Sequence, residues 1–156
     1  MAGSAVIIDT NALRDFYEIG KKAIDECDMV IIEKGAWQNE WEGYVSKQIM
    51  VETHIRIELI KRELKEHNKI SCEYPKAKMP KKLEKAMEKS GASYRDREIM
   101  RLAVQRKRKH NKAIIITYNT NHFLTSNIKR ELSRHRIEVK TPQEYCGGGY
   151  NPPKLG

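Results

Sequence analysis

No apolar run in these 156 residues approaches the roughly 20 that a membrane-spanning helix needs. The first residues also lack the apolar core of a secretory signal. Cysteine is scarce: Cys27, Cys72 and Cys146 are far apart, odd in number and fit no zinc-ligand spacing. Free thiols in a reducing compartment follow, with the cytoplasm as the expected location. There is no glycine-rich phosphate loop, serine-nucleophile elbow or paired-cysteine motif, and no internal repeat. The five histidines are scattered without a ligand spacing, and only His122 falls near an expected sheet edge. These absences set aside a membrane span, a disulfide scaffold, a phosphate-loop nucleotidase and a serine hydrolase.

What is present is charge. Thirty Lys and Arg stand against twenty-one Asp and Glu, a net charge of +9. A folded basic domain is a candidate for nucleic acid, because phosphate neutralisation drives such binding. The competing account is the ordinary surface of a Lys- and Glu-rich protein, as in hot environments. The hydrophobic fraction is 39%, but it comes in periodic blocks, which argues for a folded chain rather than disorder. One domain over residues 1–146 is expected, followed by a flexible tail over 147–156, GGGYNPPKLG.

The stretch AVIIDTN, Ala5 to Asn11, organises the rest. Its β-branched run fits a strand buried on both faces, ending at Asp9. Helical spacing follows through Leu13, Phe16, Ile24 and Cys27, then a second strand over Met29–Ile32. Ala36–Trp41 reads as a short helix with Trp37 and Trp41 on one face. Tyr44 to Asn68 reads as one long helix with two apolar arcs, one through Val51, Ile55 and Leu59, the other through Ile57, Ile60 and Leu64. The second arc is expected to lie under the helix around Leu83–Met87 or under another protomer, favouring a homodimer. Ile70–Cys72 is a short strand, Pro75–Pro80 a basic loop, and Ser93 opens a helix with a basic end at Arg106–His110. Ala113–Thr117 is a further buried strand, Ile128 and Leu132 mark a helix, Ile137–Val139 is the last strand, and Pro142 opens a closing turn of helix. Strands alternating with helices mean an α/β fold with a parallel sheet.

Acids gather where such a sheet places its ligands. Asp9 follows the first strand, Glu40 lies on the helix after the second, and Asp96 is in the first turn of the helix opened by Ser93. Strand four ends at Asn119 instead. Clustered carboxylates repel unless a cation holds them, and oxygen-rich sites favour Mg²⁺ or Mn²⁺. Each residue also has a plainer account. Asp9 or Asn11 caps a helix, Ser93 with Asp96 makes a capping box, Glu40 is an exposed residue that Glu42 replaces, and Asn119 and Asn121 are turn residues.

The segments VIIDTNAL, EKGAWQNEW, SYRDREIMRLA, IIITYNTNHF and VKTPQEY together resemble a PIN domain, in order and over nearly the whole chain. The resemblance implies three α/β/α layers, a central sheet of order 3-2-1-4-5, and cleavage of single-stranded RNA with Mg²⁺ or Mn²⁺. Many members of that family are toxins paired with an antitoxin protein, and others process ribosomal RNA. By position, Asp9, Glu40 and Asp96 match the family's metal-binding acids, and Thr117 matches a frequent hydroxyl residue. The departure is Asn119, with Asn121 near it, where an acid is usual.

Two functions follow. In the first, a metal-activated water within the site of Asp9, Glu40, Asp96 and Asn119 cleaves a phosphodiester of single-stranded RNA, leaving a 5′-phosphate. DNA is a compatible substrate. Lys76, Lys78, Lys81, Lys82, Arg106, Arg108 and Lys112 hold the strand. In the second, Asn119 marks a non-catalytic RNA-binding or interaction module on the same scaffold.

Overall fold

The computed structural model describes residues 3–26, 28–38 and 45–153. Five strands, β1 (Ala5–Ile8), β2 (Met29–Glu33), β3 (Ile70–Glu73), β4 (Ala113–Ile116) and β5 (Ile137–Lys140), form one all-parallel sheet. Its order is β3-β2-β1-β4-β5, the order that the PIN resemblance implies. β1 is central, in register with β2 from Ala5↔Met29 to Ile8↔Ile32 and with β4 from Ala5↔Ala113 to Ile8↔Ile116. All four of its side chains are buried, because a central strand covered on both faces has no side on which a polar residue is solvated. From β1 the chain builds outward through β2 and β3, then returns to the other flank through β4 and β5. The switch point therefore lies between β1 and β4, at the carboxyl edge.

Seven helices appear among the described residues: α1 (Phe16–Asp25), α2 (Lys34–Ala36), α3 (Val51–Glu66), α4 (Lys81–Lys89), α5 (Tyr94–Lys107), α6 (Ser126–His135) and α7 (Pro142–Cys146). None is long and apolar enough to cross a membrane. Alternation along the strands sends Ala5, Ile7, Ile31, Ala113 and Ile115 to one face, where α4, α5 and α6 supply Leu83, Met87, Ile99, Leu102 and Ile128. Val6, Ile8, Val30, Ile32, Ile114 and Ile116 point the other way, onto Phe16, Ile19, Ile57, Ile60 and Tyr145 of α1, α3 and α7. This is the expected three-layer arrangement.

The long helix departs from expectation. It begins at Val51, and a separate 3₁₀ turn covers Val45–Gln48. Met50, with ψ 151, is extended, so the two segments cannot be one helix. The arc through Ile57, Ile60 and Leu64 is covered neither by α4, which lies across the sheet, nor by a second protomer. It packs on α1. A β-carbon at Gly20 of α1 would lie 2.6 Å from Ile60 Cγ1 and 3.2 Å from Leu64 Cδ1, so only glycine permits this approach. The outward arc is the other one: Val51, Ile55 and Leu59 are 73%, 55% and 54% exposed. Trp37 packs near Phe16, with ring centroids 6.5 Å apart, while Trp41 and Cys27 lie outside the described residues.

Within the tail, the Tyr150 hydroxyl donates to Asp15 Oδ1, and the Tyr118 hydroxyl donates to Asp15 Oδ2 at 2.7 Å. Asp15 is wholly buried. Burial raises its pKa above the ordinary carboxylate value, against the two tyrosine hydrogen bonds that lower it.

Candidate functional site

The polypeptide leaves β1 at Asp9, whose amide continues the ladder by donating to Ile116 O of β4. Its carboxylate is 2.8 Å from the Thr10 amide through Oδ1 and 2.9 Å from Thr117 Oγ1 through Oδ2, each donating to it. Asp9 thus caps the 3₁₀ turn Thr10–Asp15 and faces the switch point as well. Thr117, just past β4 and fully buried, sits at the centre of a junction. While its hydroxyl donates to Asp9, it accepts from the Asn119 amide at 3.1 Å and from Asn11 Nδ2 at 3.3 Å. Asn11 Oδ1 accepts from the Tyr118 amide at 3.1 Å, so the first turn after β1 clamps the first turn after β4.

Asp96 reaches the same edge from α5. Ser93 and Asp96 form a reciprocal capping box: Asp96 N donates to Ser93 Oγ, and Ser93 N donates to Asp96 Oδ2 at 3.0 Å. Oδ2 also faces His122 Nδ1 at 3.0 Å, and that ring nitrogen is 3.1 Å from Asn119 Nδ2. One nitrogen serves one of these partners at a time. With a proton it donates to Asp96; without one it accepts from the Asn119 amide. Asp96 Oδ1 takes no hydrogen bond among the described residues. A line of polar contacts therefore runs Asp9, Thr117, Asn119, His122, Asp96 through the loop after β4, with His122 bonding either Asn119 or Asp96.

Sequence reading missed a third acid on this edge. Glu33 ends β2 as Asp9 follows β1, and it is only 3% exposed. Its Oε2 accepts from the Ala36 amide at 2.6 Å and from Arg95 Nη1 at 2.7 Å. Capping α2 and pairing with Arg95 hold its charge, so it adds little free negative potential. The matching of VIID with VIIE was the available signal, whereas its partner lies 62 residues away in the chain.

Of the predicted acids, the structure places Asp9 and Asp96 on one edge, with Thr117, Asn119 and Asn11 between them. Glu40 and its alternative Glu42 lie outside the described residues. Asn121 is exposed on the 3₁₀ turn Thr120–His122, with no hydrogen bond to the site among the described residues. Among the described residues no group of three His, Cys, Asp or Glu side chains is arranged to hold a metal.

The predicted cations separate into different places. Lys78, Lys81, Arg97, Arg101 and the 68% exposed Tyr94 line a groove of ≈ 500 Å³ together with Glu84 and Glu98, the latter paired with Arg101 at 2.9 Å, beside the helix start that carries Asp96. Tyr94, Arg97 and Arg101 recur at helical spacing on α5, a polar stripe that apolar periodicity passes over. Lys76 is exposed on the preceding loop, its amide donating to Gln105. Lys82 faces α6 instead. Arg106 turns onto the outer strand, where it pairs with Glu73, and Lys112 pairs with Glu138 at 2.6 Å. Arg108 and Lys112 belong to the stretch that enters β4 at the amino edge, opposite Asp9, because Lys112 O accepts from the Ala5 amide. These three are not brought to the carboxylates.

No protein-family model, curated protein or solved structure matches this chain.

Proposed function

We propose that the protein is a PIN-like nuclease of the cytoplasm that cleaves single-stranded RNA with a divalent cation. One observation carries this reading: two carboxylates from β1 and α5 meet the loop after β4 at the carboxyl switch point, next to a basic groove that holds an exposed aromatic ring. The donor chemistry fits Mg²⁺ or Mn²⁺, because Asp9 and Asp96 offer oxygens and Asp96 Oδ1 carries no hydrogen bond among the described residues. A cation held there would lower the pKa of water and offset charge developing on a phosphodiester.

The chain's own residues do the rest. Thr117 fixes the Asp9 carboxylate by donating to it, and His122 does the same for Asp96 when its Nδ1 carries a hydrogen. Lys78, Lys81 and Arg97 attract the backbone, and Tyr94 offers a ring on which a base stacks. The deciding experiment incubates the purified protein with single-stranded RNA in Mn²⁺, in EDTA, and as Asp9→Asn. Cleavage to 5′-phosphate ends in Mn²⁺ alone, lost in Asp9→Asn, is the expected result.

A second reading has its own observation. Asn119, whose amide faces His122, contributes no charge where PIN domains usually carry an acid. A non-catalytic RNA-binding module predicts binding that neither EDTA nor Asp9→Asn alters.

A further inference from the structure

A second basic groove, of ≈ 340 Å³, lies between α4 and α6, apart from the one beside Tyr94. Lys82, Lys85 and Lys89 line it from α4, and Asn127, Arg130 and Arg134 from α6, all exposed. Five cations face a single carboxylate, Glu131, which is itself engaged by Arg134 and His135 at 3.8 Å each. Among the described residues no carboxylate pairs with Lys82, Lys85, Lys89 or Arg130. So many unneutralised like charges repel one another and weaken the fold, unless an anion occupies the space between them.

The groove has a direction. Its Lys89 end adjoins Ser90, whose hydroxyl lies 2.8 Å from Met87 O and 3.2 Å from His122 O, and His122 contacts Asp96. From there Lys89 to Lys85 and Arg130 to Arg134 are steps of four residues, about 6 Å along each helix. Two rows of cations thus lead away from the carboxylate edge along the α4–α6 seam. We infer that this seam holds the phosphate backbone of single-stranded RNA flanking the bond at the candidate site. The inference adds a second binding arm to the proposed nuclease and rests on that reading for its choice of RNA. An acidic protein segment is the poorer fit. Protein partners anchor on buried aromatic or aliphatic contacts, and among the described residues Ala86 is the only apolar one lining this groove. A phosphate chain needs no such anchor, only spaced cations.

The test measures binding and cleavage together, using RNA oligonucleotides of about 4 and about 16 nucleotides, the span over which strands track single-strand grooves. The variants are Lys85→Gln/Arg130→Gln, which keeps the stems, and Lys85→Glu/Arg130→Glu, with folding checked by circular dichroism. The neutral pair should bind the long strand about tenfold more weakly, with a salt slope shallower by about 1.4, two phosphates at about 0.7 each. The short strand should bind and react as with the unaltered protein. Loss of long-strand binding without any cleavage in the unaltered protein would support the seam and defeat the nuclease reading. Unchanged affinity and slope in both variants, with long-strand binding intact, would overturn the seam and leave that reading standing. Capture of poly-glutamate but not RNA, lost in the same variants, would overturn the inference in favour of an acidic protein.

Discussion

His122 Nδ1 lies 3.0 Å from Asp96 Oδ2, although the same oxygen already accepts from the Ser93 amide. Asp96 therefore serves its helix and the carboxyl edge at once, and two substitutions pull the roles apart. Asp96→Asn keeps an oxygen for the Ser93 amide and removes the charge. Asp96→Ala removes both. Denaturant unfolding should show Asp96→Ala less stable by about 1 kcal/mol, the value of a lost cap, with Asp96→Asn near the unaltered protein. RNA cleavage in Mn²⁺ should fail equally in both. Cleavage that survives in Asp96→Asn would reduce Asp96 to a capping residue.

The approach of α1 to α3 is tested at Gly20. In Gly20→Val the added methyls meet Ile60 and Leu64 where even a β-carbon is too close. The cost should be about 2 kcal/mol, typical of overpacking a full core. Ile60→Ala in the same chain should recover part of it, a coupling that a double-mutant cycle measures. Additive losses would mean that the helices separate to make room.

Much of this fold was legible because burial on both faces leaves an unmistakable run. AVII and AIII are apolar at every position, and both became central strands. Asp9 and Ser93–Asp96 were legible for a local reason, since strand ends and capping boxes are written in neighbouring residues. What is made by distant residues was not. Glu33 with Arg95 spans 62 positions and His122 with Asp96 spans 26, and no spacing rule encodes either pair. The break before α3 carries no Gly or Pro at Ile49–Met50 to announce it. The two apolar arcs of α3 were visible, but which one faces α1 depends on a glycine thirty-one residues before Val51.

Asp15 makes a pH prediction with a definite sign. Burial raises its folded pKa, so the folded state holds the proton more tightly than the unfolded chain, whose carboxylate titrates near about 4. Its contribution is fully present below that value and is lost as pH rises through the raised folded pKa. Other carboxylates slope the opposite way, so the useful quantity is a difference. Asp15→Asn cannot ionise, and its stability relative to the unaltered protein should climb from about pH 4 upward and then level. Urea unfolding at a series of pH values measures this. A flat difference would place the Asp15 pKa at its unfolded value.

Asn119 carries the last prediction, because its backbone amide donates to the Thr117 hydroxyl that binds Asp9 and its side chain contacts the ring that touches Asp96. Asn119→Asp puts a negative charge there. If a divalent cation occupies this edge, opposite charges at about 4 Å attract by roughly 4 kcal/mol near a protein surface before desolvation is subtracted, so a measurable share should remain. Titration calorimetry should show tighter Mn²⁺ binding, and cleavage should persist at lower metal. Without a cation the same substitution brings a third charge toward Asp9 and Asp96, and thermal stability in EDTA should fall while Mn²⁺ restores it. Asp9→Asn should move metal affinity the other way. Asn119→Asp with unchanged Mn²⁺ affinity would make Asn119 a turn residue outside the metal's reach, and no Mn²⁺ binding in any of the three proteins would leave the binding module as the function.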